Sequence, residues 1–453
     1  MAQYRVGMGR TVAERLSTPL LGYAAQLHRA ILDRAAGDGS DGHHVASPLG
    51  AWLLLGLVAH AEPVAPGTAA GDALAAALGC PLAEAAELTD AVLGTPHPAV
   101  AAAAAAWLSS TVEAVGIHRL LAQLPCRTGG LPTRSEADRW VKEHTRGLID
   151  SFPADLDDPQ LRLLLATAVA TRVAWYEPFA VVAAHELGDG PFAGRLTRAM
   201  RLEPGAGHYL GIHATDVGPV AVHVGEADGL TVHSVAADPA VPALEVLEVA
   251  LGLVTEIARS AQRPGPRRLS LWDLPLGDGP AWTIREIPAE VTHPRAERMV
   301  DVVMPAWDAH CTHDLVELGA GTGFGAAGQL LAPLLDVADF RVAAAQTTLA
   351  RFDRHGFEAA ALTMMAMAGG MPPPPTLGRR REARLRFAHP YAVVVVADDP
   401  TEDIAEDMAE EIDDIDAWQP HPWRGIPVCS AWIAQVRDCE PATEPGSDVP
   451  LAP

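Results

Sequence analysis

The sequence of 453 residues is long enough for one large domain or two to three ordinary ones, and about half of its residues are apolar, which permits a sizeable core. The net charge of −24, from 57 acidic residues against 33 Lys and Arg, argues against a nucleic-acid partner because phosphate binding needs a basic face. The five Cys have irregular spacing, which argues against a disulfide framework or a Cys-based zinc site.

The N-terminal segment, residues 1–19, is predicted to be an extension before the first helix. It carries several Arg and no apolar run of the kind found in secretory signals, so we expect a cytoplasmic protein. The most apolar stretch, residues 49–61, is too short to span a bilayer and predicts a buried helix. We therefore expect no membrane partner.

Helical patterns dominate the first third of the chain. Apolar residues recur at helical spacing over 20–35, and Ser47 followed by Pro48 is typical of a helix start. Residues 135–151 are amphipathic, with Trp140 and Ile149 on one face.

Strand patterns dominate the remainder. Apolar or β-branched runs predict strands at 161–174, 300–304, 340–352, 390–397 and 426–436. A helical piece is predicted around Asp314, an acidic solvated insert at 398–424, and a disordered tail at 441–453. Helices followed by strands, without regular alternation, predict an α+β fold.

Several segments, in this order, resemble the serpin family of serine protease inhibitors, in a divergent form of bacterial type. They are Val45-Ala-Ser-Pro-Leu, residues 137–149 around Trp140, residues 165–179 ending in Pro-Phe, Val302-Val-Met-Pro with Leu318-Gly, residues 351–363, Phe387-Ala-His-Pro-Tyr and the closing strand from 428. The resemblance implies a serpin domain at 20–440, with N-terminal helices on a large central mixed β-sheet, further sheets, and an exposed reactive-centre loop at about 354–386.

The function that this resemblance implies is inhibition of serine-type endopeptidases by a suicide-substrate mechanism. A protease cuts the loop, and the freed part inserts into the central sheet as a new strand in a large conformational change. It implies a target protease as partner, a monomer, no catalytic residue, no cofactor and no metal. An extracellular location is the alternative to the cytoplasm.

The segment after Gly356 has a row of small side chains. A strand that slides between two others needs small residues where it faces a packed core, and Gly356 supplies backbone freedom. An Ala run by itself is more typical of a helix, but the resemblance identifies this segment as the hinge of the reactive loop. The hinge residues are Gly356, Phe357, Glu358, Ala359, Ala360, Ala361 and Thr363.

The sequence departs from the family pattern at the hinge and beneath the sheet. Phe357 stands where the family usually has Thr or Ser, and overpacking a finished core costs on the order of 1–3 kcal/mol. The resemblance places a sheet-opening region at Ser47, Pro48, Thr167, Gln346 and Trp175. The family usually has Asn at Thr167 and His at Gln346. These departures leave a non-inhibitory serpin-fold binding protein as the alternative function.

The reactive bond has several candidates. Counting from Gly356 as the family does places it near Gly370 and Met371. Met367 is one alternative. A second alternative for the reactive bond is a basic run, which would suit a trypsin-like protease. The same run could instead form a solvated loop. It consists of Arg379, Arg380 and Arg381.

Two other patterns in the sequence bear on function. Residues 317–323, with the sequence Glu-Leu-Gly-Ala-Gly-Thr-Gly, resemble the first motif of S-adenosylmethionine-dependent methyltransferases. The strand pattern that follows does not end in the acid expected to grip a ribose, so methyl transfer is a remote alternative. His310, Cys311 and His313 lack a distant fourth ligand, and we expect no metal there.

Overall fold

The computed structural model describes residues 11–61, 67–153, 155–171, 173–175, 177–205, 207–227, 229–259, 267–336, 344–357, 376–399 and 421–441. Within them the helices are α1 (Val12–Gly37), α2 (Pro48–Ala59), α3 (Ala69–Leu78), α4 (Leu82–Gly94), α5 (Val115–Leu121), α6 (Arg134–His144), α7 (Ala243–Arg259) and α8 (Phe324–Leu335). In this part of the chain no helix is long and apolar enough to cross a membrane.

The strands, in chain order, are β1 (His44–Ala46), β2 (Val100–Leu108), β3 (Arg127–Gly130), β4 (Leu163–Thr171), β5 (Val173–Ala174), β6 (Ala180–Ala183), β7 (Arg198–Leu202), β8 (His208–Thr215), β9 (Gly218–Ala227), β10 (Leu230–Ala236), β11 (Gly277–Asp278), β12 (Trp282–Val291), β13 (Ala296–Met304), β14 (Trp307–Asp314), β15 (Ala345–Phe352), β16 (Gly356–Phe357), β17 (Thr376–Arg386), β18 (Tyr391–Ala397) and β19 (Pro427–Ile433).

The described strands form two six-stranded sheets and three smaller ones. The first six-stranded sheet has the order β1-β19-β18-β10-β9-β8, and the second has the order β11-β12-β17-β13-β7-β6. The smaller sheets are β3-β2-β4, β14-β15 and β16-β5. Helices and mixed strands therefore pack together in the α+β architecture that the sequence predicts.

Helix α2 lies at the centre of the main core. Every residue from Pro48 to Ala59 is buried, as expected for a helix that is apolar on all faces. The side chain of Ser47 caps the helix by accepting a hydrogen bond from the Gly50 backbone N–H at 3.1 Å. The helix packs against α4, β4 and β19, so its N-terminus is held close to the sheets.

Helix α6 covers one face of β2 and β4. Trp140 packs in a cluster with Leu164, Ala166 and Ala168 of β4, and its ring meets that of Trp107 edge-on, with ring centres 5.2 Å apart. The alternate residues of β4, such as Leu165, pack against the main core on the opposite face. Strand β4 is thus covered on both faces, which accounts for its nearly continuous apolar sequence.

Four sequence predictions need correction. Helix α1 begins at Val12, inside the predicted extension, because the Thr11–Glu14 capping box starts it and Pro19 is accommodated inside it, whereas a Pro usually marks a helix boundary. Helix α6 ends at His144, because Arg146 and Gly147 have positive φ angles.

The other two corrections concern the C-terminal half. Asp314 is the last residue of strand β14 and is not helical, and the helix of this region is α8. Residues 376–386 form strand β17 and do not belong to a loop. The arginines of this strand are paired with acidic residues, most of them on neighbouring strands.

Candidate functional site

The candidate site is a slot between strands β4 and β15. Strand β4 pairs with β2 on one side, strand β15 pairs with β14 on one side, and no ladder joins β4 to β15 in the described part of the chain. Beneath α6 the slot holds a cleft whose lining includes Trp140, Leu164 and Thr347. Two strand edges that face each other without pairing can accept one more strand between them.

A tight turn directs the chain into this slot. Strand β15 ends at Phe352, and Asp353 and Gly356 then exchange two backbone hydrogen bonds of 3.3 and 3.2 Å. Gly356 has φ of 132°, a value that side chains disfavour. After the turn, Gly356 and Phe357 pair antiparallel with β5, so strand β16 lies between β5 and β15. Strand β16 therefore stands at the mouth of the slot.

Trp175 holds this turn from below. Its indole Nε1–H donates to the backbone oxygen of Asp353 at 3.0 Å, and its backbone N–H donates to the His355 oxygen at 3.3 Å. The indole is buried and packs on Phe352, with ring centres 5.2 Å apart. Gly225 lies directly under the indole, where a Cβ would come within 2.8 Å of the ring. The mouth of the slot is therefore held by two hydrogen bonds from Trp175 and by close packing around its indole.

A charged network ties the turn to the C-terminal segment. The Asp353 carboxylate is almost buried and lies 2.7 Å from the Arg437 guanidinium, which also binds Asp308 at 2.6 Å. Arg351 joins the network through Glu440 at 2.7 Å. Sequence patterns do not reveal this network, because its members are far apart in the chain and are brought together by the pairing of β14 with β15 and by the bridge between Ala306 and Arg437.

A polar hub connects both edges of the slot to the start of α2. The Gln346 side chain of β15 accepts from the Ser47 N–H at 2.9 Å and donates to the Ser47 oxygen at 2.8 Å. The Thr167 hydroxyl of β4 donates to the Gly50 oxygen at 2.8 Å, and the Ser47 hydroxyl donates to Val428 at 2.8 Å. The predicted residues Ser47, Thr167 and Gln346 are thus brought together, although Thr and Gln replace the residues usual in the family.

Two buried histidine pairs lie near the slot, one close to the hub and one close to the mouth. The sequence pattern does not reveal either pair. Near the hub, the His28 Nδ1–H donates to His44 at 2.8 Å, and the His44 Nδ1–H donates to the Gly42 oxygen. Near the mouth, His208 lies 3.2 Å from His223 and donates to the Glu177 oxygen. Because a carbonyl can only accept, Nδ1 of His44 and Nε2 of His208 each carry a hydrogen, and in the neutral ring the other nitrogen is an acceptor.

The pKa values of these histidines reflect their burial. Desolvation lowers the pKa of His44 to about 4 and that of His208 to about 4. It holds the pKa of His28 and of His223 well below the usual range, and each is lowered further by its histidine partner. Both pairs are therefore neutral near pH 7.

The remaining site predictions fall into two groups. Glu358, Ala359, Ala360, Ala361, Thr363, Met367, Gly370 and Met371 lie outside the described residues. Arg379, Arg380 and Arg381 lie in β17, which pairs with a strand on each side. A protease needs an extended, accessible chain, so this arrangement disfavours the basic run as the reactive bond.

The enzyme and metal alternatives find no support in the geometry. The glycine-rich segment 317–323 follows β14, which pairs antiparallel with β15, so it does not stand at the end of a parallel strand as a nucleotide-type site requires. His313 donates to the Val45 backbone oxygen at 3.1 Å. Among the described residues, no group of His, Cys, Asp and Glu could hold a metal ion.

Comparison with known proteins identifies similar solved structures but no similar sequence. No family model matches the chain, and no curated protein matches it significantly. Human thyroxine-binding globulin in complex with thyroxine superposes with a TM-score of 0.56 at 10% identity, covering 94% of this chain and 100% of the globulin. The thermophilic serpin Tengpin in its native state gives 0.55 at 12% identity and 95% coverage of both chains. The mouse protein-Z-dependent protease inhibitor gives 0.55 at 12% identity, with 94% and 98% coverage.

Proposed function

The chain has the serpin fold, and from this fold we propose that it inhibits a serine-type endopeptidase as a suicide substrate. The bait is the segment 358–375, and the inhibitory step is the insertion of its N-terminal part between β4 and β15. The observation that carries the proposal is the position of Gly356 and Phe357, which form β16 between β5 and β15 at the mouth of the slot.

The protease supplies the catalytic residues, and this chain supplies the segment that is cut and then inserts. The protease serine attacks the carbonyl carbon of the reactive bond, the C–N bond breaks, and the new amine leaves with a proton. The N-terminal side of the cut remains bound to the serine as an ester. Insertion then carries this ester, with the protease attached, along the slot before water can hydrolyse it.

The driving force is the completion of two strand ladders. Continuing the register of Phe357 opposite Val173 along β4 brings Thr363 opposite Thr167 and Met367 opposite Leu163. A strand of this length gains hydrogen bonds on both edges at about 0.5–1.5 kcal/mol each, or on the order of 10 kcal/mol in total. Phe357 is already paired with β5 at the mouth of the slot, and a bulky residue there slows the entry of the residues that follow it.

The direct test is incubation with a panel of serine proteases followed by a denaturing gel and mass spectrometry of the cut. We expect a denaturant-resistant complex with at least one protease and cleavage near Gly370–Met371. The variant Phe357→Thr should raise the fraction trapped. If every active protease clips the segment and no complex survives denaturation, the inhibitor proposal is wrong.

The second candidate is a non-inhibitory binding protein. Two observations favour it: the Phe at position 357 and the similarity to a globulin that binds thyroxine. The melting temperature before and after cleavage of the segment separates the two candidates. A large rise after cleavage favours insertion and inhibition, whereas an unchanged melting temperature favours the binding protein.

A further inference from the structure

Four histidines line the junction between strand β14 and strand β1. Strand β1 pairs with β19 on one edge, and in the described part of the chain no ladder joins its other edge to β14. The two strands are nevertheless in contact, because imidazole side chains connect them. These residues form the histidine seam, which consists of His28 of α1, His43 just before β1, His44 in β1 and His313 of β14.

His43 is the outermost member of the seam and binds two other segments. Its Nε2–H donates to the Asp308 backbone oxygen of β14 at 3.1 Å. Its Nδ1 accepts the backbone N–H groups of Ala434 and Gln435, which follow β19, at 3.2 and 3.3 Å. Because a backbone N–H can only donate, both of these bonds require an Nδ1 that carries no proton. A proton on this nitrogen breaks them.

His313 and His44 continue the seam into the interior. The His313 Nε2–H donates to the Val45 backbone oxygen at 3.1 Å, across the gap between β14 and β1. His44 lies edge-on to His313, with ring centres 6.3 Å apart. Behind it, the His28 Nδ1–H donates to His44, and the His28 Nε2 accepts from the Ser430 hydroxyl at 2.6 Å. The pair of His28 and His44 can share one added proton, but a second sets two N–H donors against each other.

The seam has no carboxylate that would offset a positive charge on its rings. In the described part of the chain, each printed partner of these ring nitrogens is a backbone group, a hydroxyl or another imidazole. Desolvation lowers the pKa of His44 to about 4 and also lowers the pKa of His313. The charged and titratable groups on the surrounding elements are Arg34, which pairs with Glu317; Asp41, which accepts the His43 backbone N–H; Asp308, which pairs with Arg437; Cys311; and Asp314.

The seam holds one wall of the slot in place. Strand β15, which faces β4 across the slot, pairs with β14 along the full length of both strands. His43 and His313 hold β14 on β1. A β14–β15 ribbon that is free of β1 can move away from β4 and keep its own ladder. Release of the seam therefore lowers the cost of separating β15 from β4.

We propose that the histidine seam is an acid-sensitive latch, which holds the β14–β15 ribbon on β1 at neutral pH and releases it in acid, so that the slot admits a strand more readily. The effect on the slot rests on the proposed insertion mechanism, whereas the release of the ribbon does not.

The direction of the pH dependence follows from the buried rings. An imidazole that has been released into water binds a proton before the same imidazole in the closed seam does, so the latch opens as the pH falls from about 6.5 towards about 4. Release that brings His44 alone into water increases the released fraction about twentyfold between pH 7 and pH 5.

Hydrogen exchange of the full chain measures the release directly. Exchange is followed at pH 7 and pH 5, and each rate is divided by the intrinsic rate at that pH to give a protection factor. In the parent protein, the amides of Ala434, Gln435 and β14 should lose protection about twentyfold between pH 7 and pH 5.

Matched variants assign this loss to the seam. His43→Asn combined with His44→Gln and His313→Gln removes three titrating rings and supplies amide groups of similar reach, so its protection factors should change little with pH. His310→Gln is the control, because His310 is exposed on the same strand, and it should behave as the parent protein does. His43→Asn alone, at a half-buried position, serves if the triple variant folds poorly, and it should reduce the pH dependence at Ala434 and Gln435.

A synthetic peptide with the sequence of residues 358–367 tests the effect on the slot without a protease. The peptide is added to the uncut protein at pH 7 or pH 5, and the gain in melting temperature is measured over time after return to pH 7. We expect uptake by the parent protein to be up to about twentyfold faster at pH 5, and uptake by the triple variant to be no faster.

The outcomes separate the latch from the proposed function. If the parent protein and the seam variants lose protection equally in acid, the latch is wrong. If protection falls as expected but the peptide enters no faster at pH 5, the seam does not control the slot. If the peptide stabilises the protein at neither pH, the insertion mechanism of the proposed function fails, and hydrogen exchange still decides whether the seam releases β14.

Discussion

The hub at the start of α2 allows a quantitative test. Gln346 makes two hydrogen bonds to the backbone of Ser47, at 2.9 and 2.8 Å, and Ser47 is 3% exposed. Replacing Gln346 with Met preserves the length of the side chain and removes both bonds. The Ser47 N–H loses the partner shown here, and the Ser47 oxygen loses its donor, in a site that solvent hardly reaches.

The expected loss follows from the cost of leaving buried groups unpaired. Each such group costs about 1–3 kcal/mol, so Gln346→Met should lower the free energy of unfolding by about 3 kcal/mol after partial relaxation. An unfolding entropy of about 2.1 cal/mol/K per residue gives about 0.9 kcal/mol/K for this chain. The melting temperature should therefore fall by about 3 °C.

Urea unfolding followed by circular dichroism, together with a thermal melt, measures both quantities. Thr347→Val is the matched control, because the Thr347 hydroxyl bonds to Thr312 at 3.0 Å in an exposed position. The control should change the unfolding free energy by less than about 0.5 kcal/mol. If Gln346→Met is no more destabilising than the control, the Gln346 side chain does not stabilise the start of α2.

Three further predictions follow from the mouth of the slot and its surroundings. Burial lowers the pKa of His208 to about 4, against 6.5 for an exposed imidazole. As the pH falls, the unfolded chain therefore binds the proton before the folded chain does. The free energy of unfolding should decrease as the pH drops from about 6.5 to about 4. His208→Gln should flatten the pH dependence of urea midpoints by up to about 1.4 kcal/mol per pH unit, and an unchanged profile would contradict this assignment. Gly225→Ala should lower the free energy of unfolding by about 1–3 kcal/mol, because the new Cβ meets the Trp175 indole beneath the turn. Gly252→Ala is the control: it lies in a helix with open space around it and should be neutral or stabilising by up to about 1 kcal/mol. Equal melting temperatures for the two variants would argue against the close approach at Gly225. Asp353→Asn should lower the melting temperature, because it leaves the Arg437 guanidinium without this carboxylate. The double variant with the charges reversed, Asp353→Arg with Arg437→Asp, should recover part of that loss. If the double variant melts no higher than Asp353→Asn, the two charges do not interact.

The sequence by itself determined the fold class and the main elements. Helical spacing located α1, the Ser-Pro pair located the start of α2, and the β-branched runs located β4 and β18. These patterns are local, because a helix or strand must present apolar residues at its own period to be buried at all. The small residues after Gly356 predict a hinge only through the family resemblance, and residues 358–375 lie outside the described part of the chain.

Only the tertiary structure decided which residues meet. Arg437 contacts Asp353 although the two residues are far apart in the chain. Strand β17 is enclosed by β12 and β13 because strands far apart in the chain pair in the same sheet. The basic run 379–381 could be predicted as a loop, since the counter-charge of Arg379 and Arg381 is Glu286, about a hundred residues away. Side-chain periodicity reports which face is buried, whereas pairing partners and open strand edges depend on the energy of the whole fold.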